Sequence, residues 1–255
     1  MQQITLLAKT LVQKAGKIAL EAFLSEKLAF QKKADNSHLT QYDQQIEKFL
    51  RNEINKNFPS HSIKGEEFGG DYRANNYTWL LDPIEGTTNF VSGVPVFCSM
   101  IAVVKDGEVV SAAICDPLAK KTYWAEKGSG AFLEKKPIQA QTFHSLQECT
   151  LICDPGRMME KRRFGLTYLA KFFDQYRSFR YYGSMSGAVA ALAHHQPLVT
   201  FILGTKDYDL AAASLIIQES GCKTFDLKGQ PWRLSEMSDF IACSPGLENA
   251  VKQTL

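Results

Sequence analysis

Apolar residues recur at helical spacing from the start of the chain: Leu7, Leu11, Ile18 and Phe23 are interrupted by Lys9, Lys14 and Lys17. This predicts an amphipathic surface helix. A second stripe, Ile46, Phe49, Leu50 and Ile54, predicts a helix over about residues 40–58, with Asp43, Glu47 and Arg51 facing out and Pro59 ending it. The polar stretch 32–39 between them reads as a turn or hairpin, with Asp35-Asn36 its most turn-like pair.

Strand signals follow at residues 61–64 and 78–81, the latter run ending on Asp82. Residues 96–104 and 108–115 predict a hairpin, because Asp106-Gly107 sits where a tight turn requires positive φ. Residues 123–125 and 130–132 suggest another. The first half thus reads as helices on a largely antiparallel sheet. Beyond Pro137 the pattern changes: strands at 150–153, 178–181, 198–203 and 240–243 alternate with helices at 162–173, 186–193 and 210–219, before a short terminal helix. Such alternation predicts an α/β layer. The boundary is placed near residue 140, giving an N-terminal α+β subdomain (1–140) and a C-terminal α/β subdomain (141–255) that pack tightly.

Composition narrows the function. At 45% hydrophobic and 22% charged, with a formal net charge of +2, the 255 residues are those of an ordinary globular protein with no polyanion footprint, so nucleic acid is not implied. Lys161-Arg162-Arg163, Arg177 and Arg180 read as solvated surface. The six cysteines lack paired metal or redox spacing and are expected as reduced core thiols. No run approaches the ~20 apolar residues of a membrane span, and the first helix lacks the continuous apolar centre of a signal peptide. A cytoplasmic protein without a membrane partner is expected.

The densest polar signal is Lys64-Gly65-Glu66-Glu67 followed by Asp82-Pro83-Ile84-Glu85-Gly86-Thr87-Thr88-Asn89-Phe90. A carboxylate ending an apolar strand, a second three residues later and a Gly-Thr-Thr segment entering a helical turn would form a group of hard oxygen ligands. Such ligands suit Mg²⁺, and amides at a helix start suit phosphate. Taken alone, an acidic pair such as Glu66-Glu67 is more often a solvated loop, and Asp-Pro with Glu-Gly is commonly just a turn.

These residues resemble the inositol monophosphatase family. Residues 82–90 are similar to its D-P-[ILV]-D-G-T-T-N-F signature, Gly65-Glu66-Glu67 to its G-E-E, and Lys33, Asp35, Ser37, Thr40 and Asp43 to its early K-x-D-x-S-x-x-T-x-x-D pattern. Residues 128–132 are similar to its G-x-G-A-F, Gly183-Ser184 to a Gly-Ser/Thr segment and residues 208–212 to its W-D-x-A-A/G. The resemblance implies a layered α/β/α/β/α sandwich, commonly a homodimer, that hydrolyses small phosphate monoesters with two or three Mg²⁺ ions (or Mn²⁺) and is often inhibited by Li⁺. Carried over, Glu66, Asp82 and the Ile84 carbonyl would hold a first cation, and Asp82, Glu85 and Asp209 a second. Glu66, Thr87 and Asp43 would act in catalysis, with Asp43 behind Thr87 as it orients or deprotonates the attacking water. Gly86, Thr87, Gly183 and Ser184 would contact substrate; Lys206, in the stretch before Asp209 and singled out by position rather than by resemblance, could attract a second anionic group or be a solvated lysine before a helix.

Two positions depart from the family. Residue 85 is glutamate where the family has aspartate, moving the carboxylate outward by roughly one bond, against the near-octahedral geometry Mg²⁺ requires. Ile202 stands where the family has a glutamate contacting inositol hydroxyls, which would shift substrate preference toward a sugar, nucleotide or other polyol phosphate. These departures motivate one alternative, a family member of low activity serving as a regulatory protein-interaction partner; a second, a 3′-phosphoadenosine phosphatase, is weakly opposed by the two threonines of the signature.

Overall fold

Trp79 and Leu80 are adjacent in sequence yet lie in different cores, because successive strand residues point to opposite faces of a sheet. A computed structural model, which describes residues 1–25, 30–32, 38–73, 76–155, 159–170 and 173–255, shows how that alternation builds the molecule.

Helix α1 (Gln2–Leu24) precedes strands β1 (Phe30–Lys32) and β2 (His38–Thr40), an antiparallel pair. The expected Asp35-Asn36 turn, with Lys33 and Ser37, lies outside the described residues. Helix α2 (Gln41–Asn57) starts at a Thr40–Asp43 capping box and stops before Pro59. Strands β3 (Ser62–Gly65) and β4 (Tyr77–Glu85), the short helix α3 (Thr87–Val91), and strands β5 (Cys98–Lys105), β6 (Glu108–Asp116), β7 (Lys121–Glu126), β8 (Gly130–Leu133) and β9 (Lys136–Ile138) follow. They form a seven-stranded sheet in chain order, antiparallel except for the parallel β3–β4 pair. Asp106 and Gly107 both have positive φ (52° and 80°), as the predicted hairpin demands.

The remaining elements are β10 (Thr150–Asp154), α4 (Met159–Ala170), β11 (Ser178–Arg180), α5 (Ser186–Ala193), β12 (Leu198–Lys206), α6 (Asp207–Glu219), β13 (Lys223–Phe225), β14 (Met237–Cys243) and α7 (Glu248–Lys252). Their five-stranded sheet runs β11-β10-β12-β14-β13, with β10 parallel to β11 and β12 and the other pairs antiparallel.

Three apolar cores separate five layers. Trp79, Leu81, Ile101 and Val103 pack outward against α1 and α2. Leu80, Met100, Ala102 and Ile114 face inward onto α5, α6 and one face of the second sheet, represented by Ile152, Ile202 and Phe240. Leu151, Val199, Phe201 and Ile241 on its other face cover Leu169 of α4 and Val251 of α7. Each fully buried aliphatic or aromatic side chain contributes roughly 1.5–3 kcal/mol, so the alternation itself discriminates strongly against a one-residue register slip. All six cysteines are buried free thiols within these cores.

Two expectations change. The buried stripe of α1 is made mainly of small residues, Ala8, Ala15, Ala19 and Ala22 with Ile4, Leu11 and Val12, which lets the helix lie close on β5 and β6. Asp43 and Glu47 do not face out: both are fully buried, the first as a capping residue and the second as an acceptor for a neighbouring turn.

Candidate metal centre

The site begins at the ends of two parallel strands. Gly65 pairs with Leu81, and the Glu66 amide donates to the Leu81 carbonyl at 3.1 Å, so the ladder runs one step beyond β3. Glu66 is thereby brought beside Asp82. The turn that follows is held from below: Glu47 Oε2 accepts the Glu67 amide at 2.7 Å, and Arg51 Nε donates to Glu47 Oε1 at 2.8 Å. A Cβ on residue 65 would stand 2.0 Å from Glu47 Oε1, which is why glycine occupies it.

The third carboxylate comes from the other half of the chain. Helix α6 begins at Asp207, three residues earlier than the sequence pattern indicated, and this places Asp209 in its first turn. Glu66, Asp82 and Asp209 each offer one carboxylate oxygen, and these oxygens lie within 4.8 Å of one another. Asp82 and Asp209 are buried and Glu66 is half-buried. Three like charges this close raise one another's energy unless a cation neutralises them. The donor set, all hard oxygen with no thiolate or imidazole, fits Mg²⁺ or Mn²⁺.

Strand β4 breaks register between Asp82 and Glu85, the bulge that accommodates Pro83 inside a sheet, and Ser99 Oγ donates to the Pro83 carbonyl at 2.7 Å. Beyond it, Thr87 Oγ1 donates to the Ile84 carbonyl at 2.8 Å, so these two predicted site groups share one turn. Gly86, at φ 84°, caps α3; a Cβ there would meet the Val96 and Gly183 carbonyls and Ser184 Cβ at 3.1–3.3 Å. Gly183 and Ser184 therefore do lie against the signature segment.

Glu85 stands beside the three-carboxylate group. Its Oε2 accepts from Ser184 Oγ at 2.5 Å, from the Met185 amide at 2.9 Å and from Cys98 Sγ at 3.4 Å. Burial pushes its carboxyl up to about 7; the Ser184 hydrogen bond opposes that rise and the Asp209 charge adds to it. The extra methylene thus has a visible use, reaching the start of α5. Asn89 fixes that approach: its Nδ2 donates to the carbonyls of Val96 (2.8 Å) and Tyr182 (2.7 Å).

Asp43 Oδ2 accepts from the Thr40 amide (2.7 Å) and the Thr40 hydroxyl (2.6 Å), closing the N-terminus of α2. Lys206 caps α6, with Nζ 5.5 Å from the Tyr208 ring centre. Tyr208 is buried core, as aromatic packing predicts. Ile202 packs in the inner core and presents no polar group. The roles of Glu47 and Asn89 were missed by sequence reasoning: Glu47 was read as an outward-facing charge, and Asn89 only as a motif letter.

This combination of layered fold and converging acidic ligands defines a metal-dependent phosphomonoesterase. The chain belongs to the inositol monophosphatase family, whose model matches residues 1–254. It is 31% identical over 94% of its length to the Nus factor SuhB of Vibrio cholerae, covering 91% of that protein. It is also 30% identical over 88% of its length to a histidinol-phosphatase of Chlorobaculum parvum, covering 86% of it. Among solved structures, the IMPase of Thermotoga maritima superimposes with a TM-score of 0.87 at 26% identity, over 100% of this chain and 96% of that one. Among the described residues, no helix is long and apolar enough to cross a membrane.

Proposed function

We propose that the chain is an inositol-1-monophosphatase-like hydrolase of small phosphate monoesters with a shifted substrate preference, cytoplasmic and homodimeric, with no nucleic-acid partner. The observation that carries this reading is the meeting of Glu66, Asp82 and Asp209 from three separate elements. Divalent cations held there would neutralise charge on the attacking and leaving oxygens of an in-line displacement. Glu66, Asp82 and the Ile84 carbonyl are assigned to one cation. Asp82, Asp209 and Glu85, through its other oxygen, are assigned to a second. Thr87, with Asp43 behind it, would orient the attacking water, and the Glu66 carboxylate would accept the proton that water releases. The backbone of Gly86 and Thr87, with Gly183, Ser184 and Lys206, holds the phosphate.

Ile202 supports the shift in preference. It is packed into the inner core where the family has a glutamate, so no carboxylate is offered there to a substrate hydroxyl; one left unmet costs about 1–3 kcal/mol, which disfavours free inositol phosphates against other monoesters. The test is phosphate release from inositol 1-phosphate, histidinol phosphate, sugar phosphates and nucleotide monophosphates with Mg²⁺ or Mn²⁺, beside Asp82→Asn. Metal-dependent turnover at least ~100-fold above that variant is expected. Turnover equal in the two proteins for every substrate overturns the reading.

A second reading, a regulatory partner of low activity, draws on the likeness to a Nus factor and on the engagement of Glu85 by Ser184. Calorimetry that finds no divalent binding, together with recovery of a stable macromolecular complex, would favour it.

A further inference from the structure

The carboxylates of the site arrive on separate supports: Glu66 one residue past β3, and Asp209 in the first turn of α6. Two residues before each lies one member of an ion pair. Lys64 Nζ is 2.7 Å from Asp207 Oδ2, with the side chains only 14% and 1% exposed, although the residues are 143 apart in sequence. The same oxygen accepts the Tyr72 hydroxyl at 2.6 Å, and Asp207 Oδ1 accepts the Tyr208 amide at 2.9 Å. Lys64 Nζ also stands 3.5 Å from Glu236 and 4.9 Å from the centre of the Tyr72 ring. Glu236 in turn supplies the carbonyl for the Asp207 amide at 3.3 Å.

We propose that Lys64, Asp207 and Tyr72 form a clasp that holds Glu66 and Asp209 at cation-binding separation before any cation arrives, making them positioning residues for the metal centre. Like charges within 4.8 Å push their supports apart, and flexible supports would have to be reordered each time a cation bound. A buried ion pair is an inefficient way to stabilise a fold compared with apolar packing, but it specifies one geometry, because each charge is costly to leave alone. The clasp sits where that specificity is useful: both of its ends are two residues from a ligand. Helix α6 reinforces the arrangement, since an acidic residue in its first turn is favoured by the helix dipole.

The inference rests on the reading that Glu66 and Asp209 hold a cation, and the test separates the two. Mn²⁺ binding to metal-free protein is measured by calorimetry for the wild type, Lys64→Arg, Lys64→Met and Asp207→Asn, with circular dichroism to confirm folding. Wild type that binds no Mn²⁺ sinks the metal reading itself. Wild type that binds, with Lys64→Met and Asp207→Asn at least ~10-fold weaker and Lys64→Arg restored to within about 3-fold, supports the clasp. At saturating metal the two weakened variants should keep their kcat, with the metal concentration for half-maximal rate raised in proportion. Binding by both variants equal to wild type overturns the clasp. Should either fail to fold, Tyr72→Phe, which deletes one hydrogen bond to the same oxygen, decides: a ~3-fold weaker affinity supports it and an unchanged one overturns it.

Discussion

One methylene separates Glu85 from the aspartate that the family signature carries, and its consequence is visible. Oε2 is drawn to Ser184, Met185 and Cys98, so this carboxylate oxygen is engaged at the start of α5. Glu85→Asp withdraws the carboxylate by roughly one bond, out of reach of that triple engagement. Misplacement of a reacting group by about 1 Å can cost ~100-fold in rate. We therefore expect the aspartate variant to raise kcat with Mg²⁺ by about 10-fold and to lower the ratio of Mn²⁺-supported to Mg²⁺-supported activity. Steady-state rates with both metals measure this, and a variant slower than wild type with each would show that the Ser184 contact positions Glu85 productively. Ile202 and Tyr208 are simpler cases: both are packed in the inner core, as apolar and aromatic side chains in strand and helix runs favour. Asp43 and Glu47 were misread because charge was equated with exposure. A carboxylate supplied with backbone and side-chain donors can be buried, and both of these are.

Strands and helices carry the next level of information, and some of it is local. The Asp106-Gly107 turn, the Pro59 stop and the near-continuous apolar runs of β5 and β6 depend only on neighbouring residues, so pattern alone located them. The start of α6 was placed three residues late because Gly204-Thr205-Lys206 is polar strand passing directly into helix, with no turn residue marking the change. Parallel pairing of β3 with β4 was not readable at all, since strand direction is set by the intervening chain path, yet it is this pairing that places Glu66 beside Asp82. The meeting of Glu66, Asp82 and Asp209 was legible through family resemblance; how the elements hold them together was not. Asn89 illustrates the difference, joining the loop after α3 to the segment before α5 through the Val96 and Tyr182 carbonyls. Asn89→Ala leaves those acceptors unmet at a cost of about 1–3 kcal/mol. It should lower the chemical-denaturation midpoint and speed hydrogen exchange at the Met185 amide, which Glu85 protects. Unchanged exchange at Met185 would mean that the segment is held by packing alone.

Across the molecule, the metal centre is the place where the two sheets' halves of the chain must agree. The inner core joins both sheets through α5 and α6, and Asp209 reaches Glu66 and Asp82 only while that core is intact. A cation bound there therefore stabilises the whole fold by mass action, about 2.7 kcal/mol at a concentration ~100 times its dissociation constant. The sign of the effect without metal is opposite. Three converging carboxylates repel, so Asp82→Asn should remove part of that repulsion and raise Tm in chelator by a few degrees, on the order of 1 kcal/mol of relief. Adding Mg²⁺ should then raise the Tm of the wild type but leave Asp82→Asn almost unmoved, so that the order of stability reverses between the two conditions. Differential scanning calorimetry in EDTA and in excess Mg²⁺ reads both halves of this crossing. Parallel Mg²⁺ responses in the two proteins would place the stabilising ion elsewhere and detach the acidic group from the stability of the two-sheet architecture.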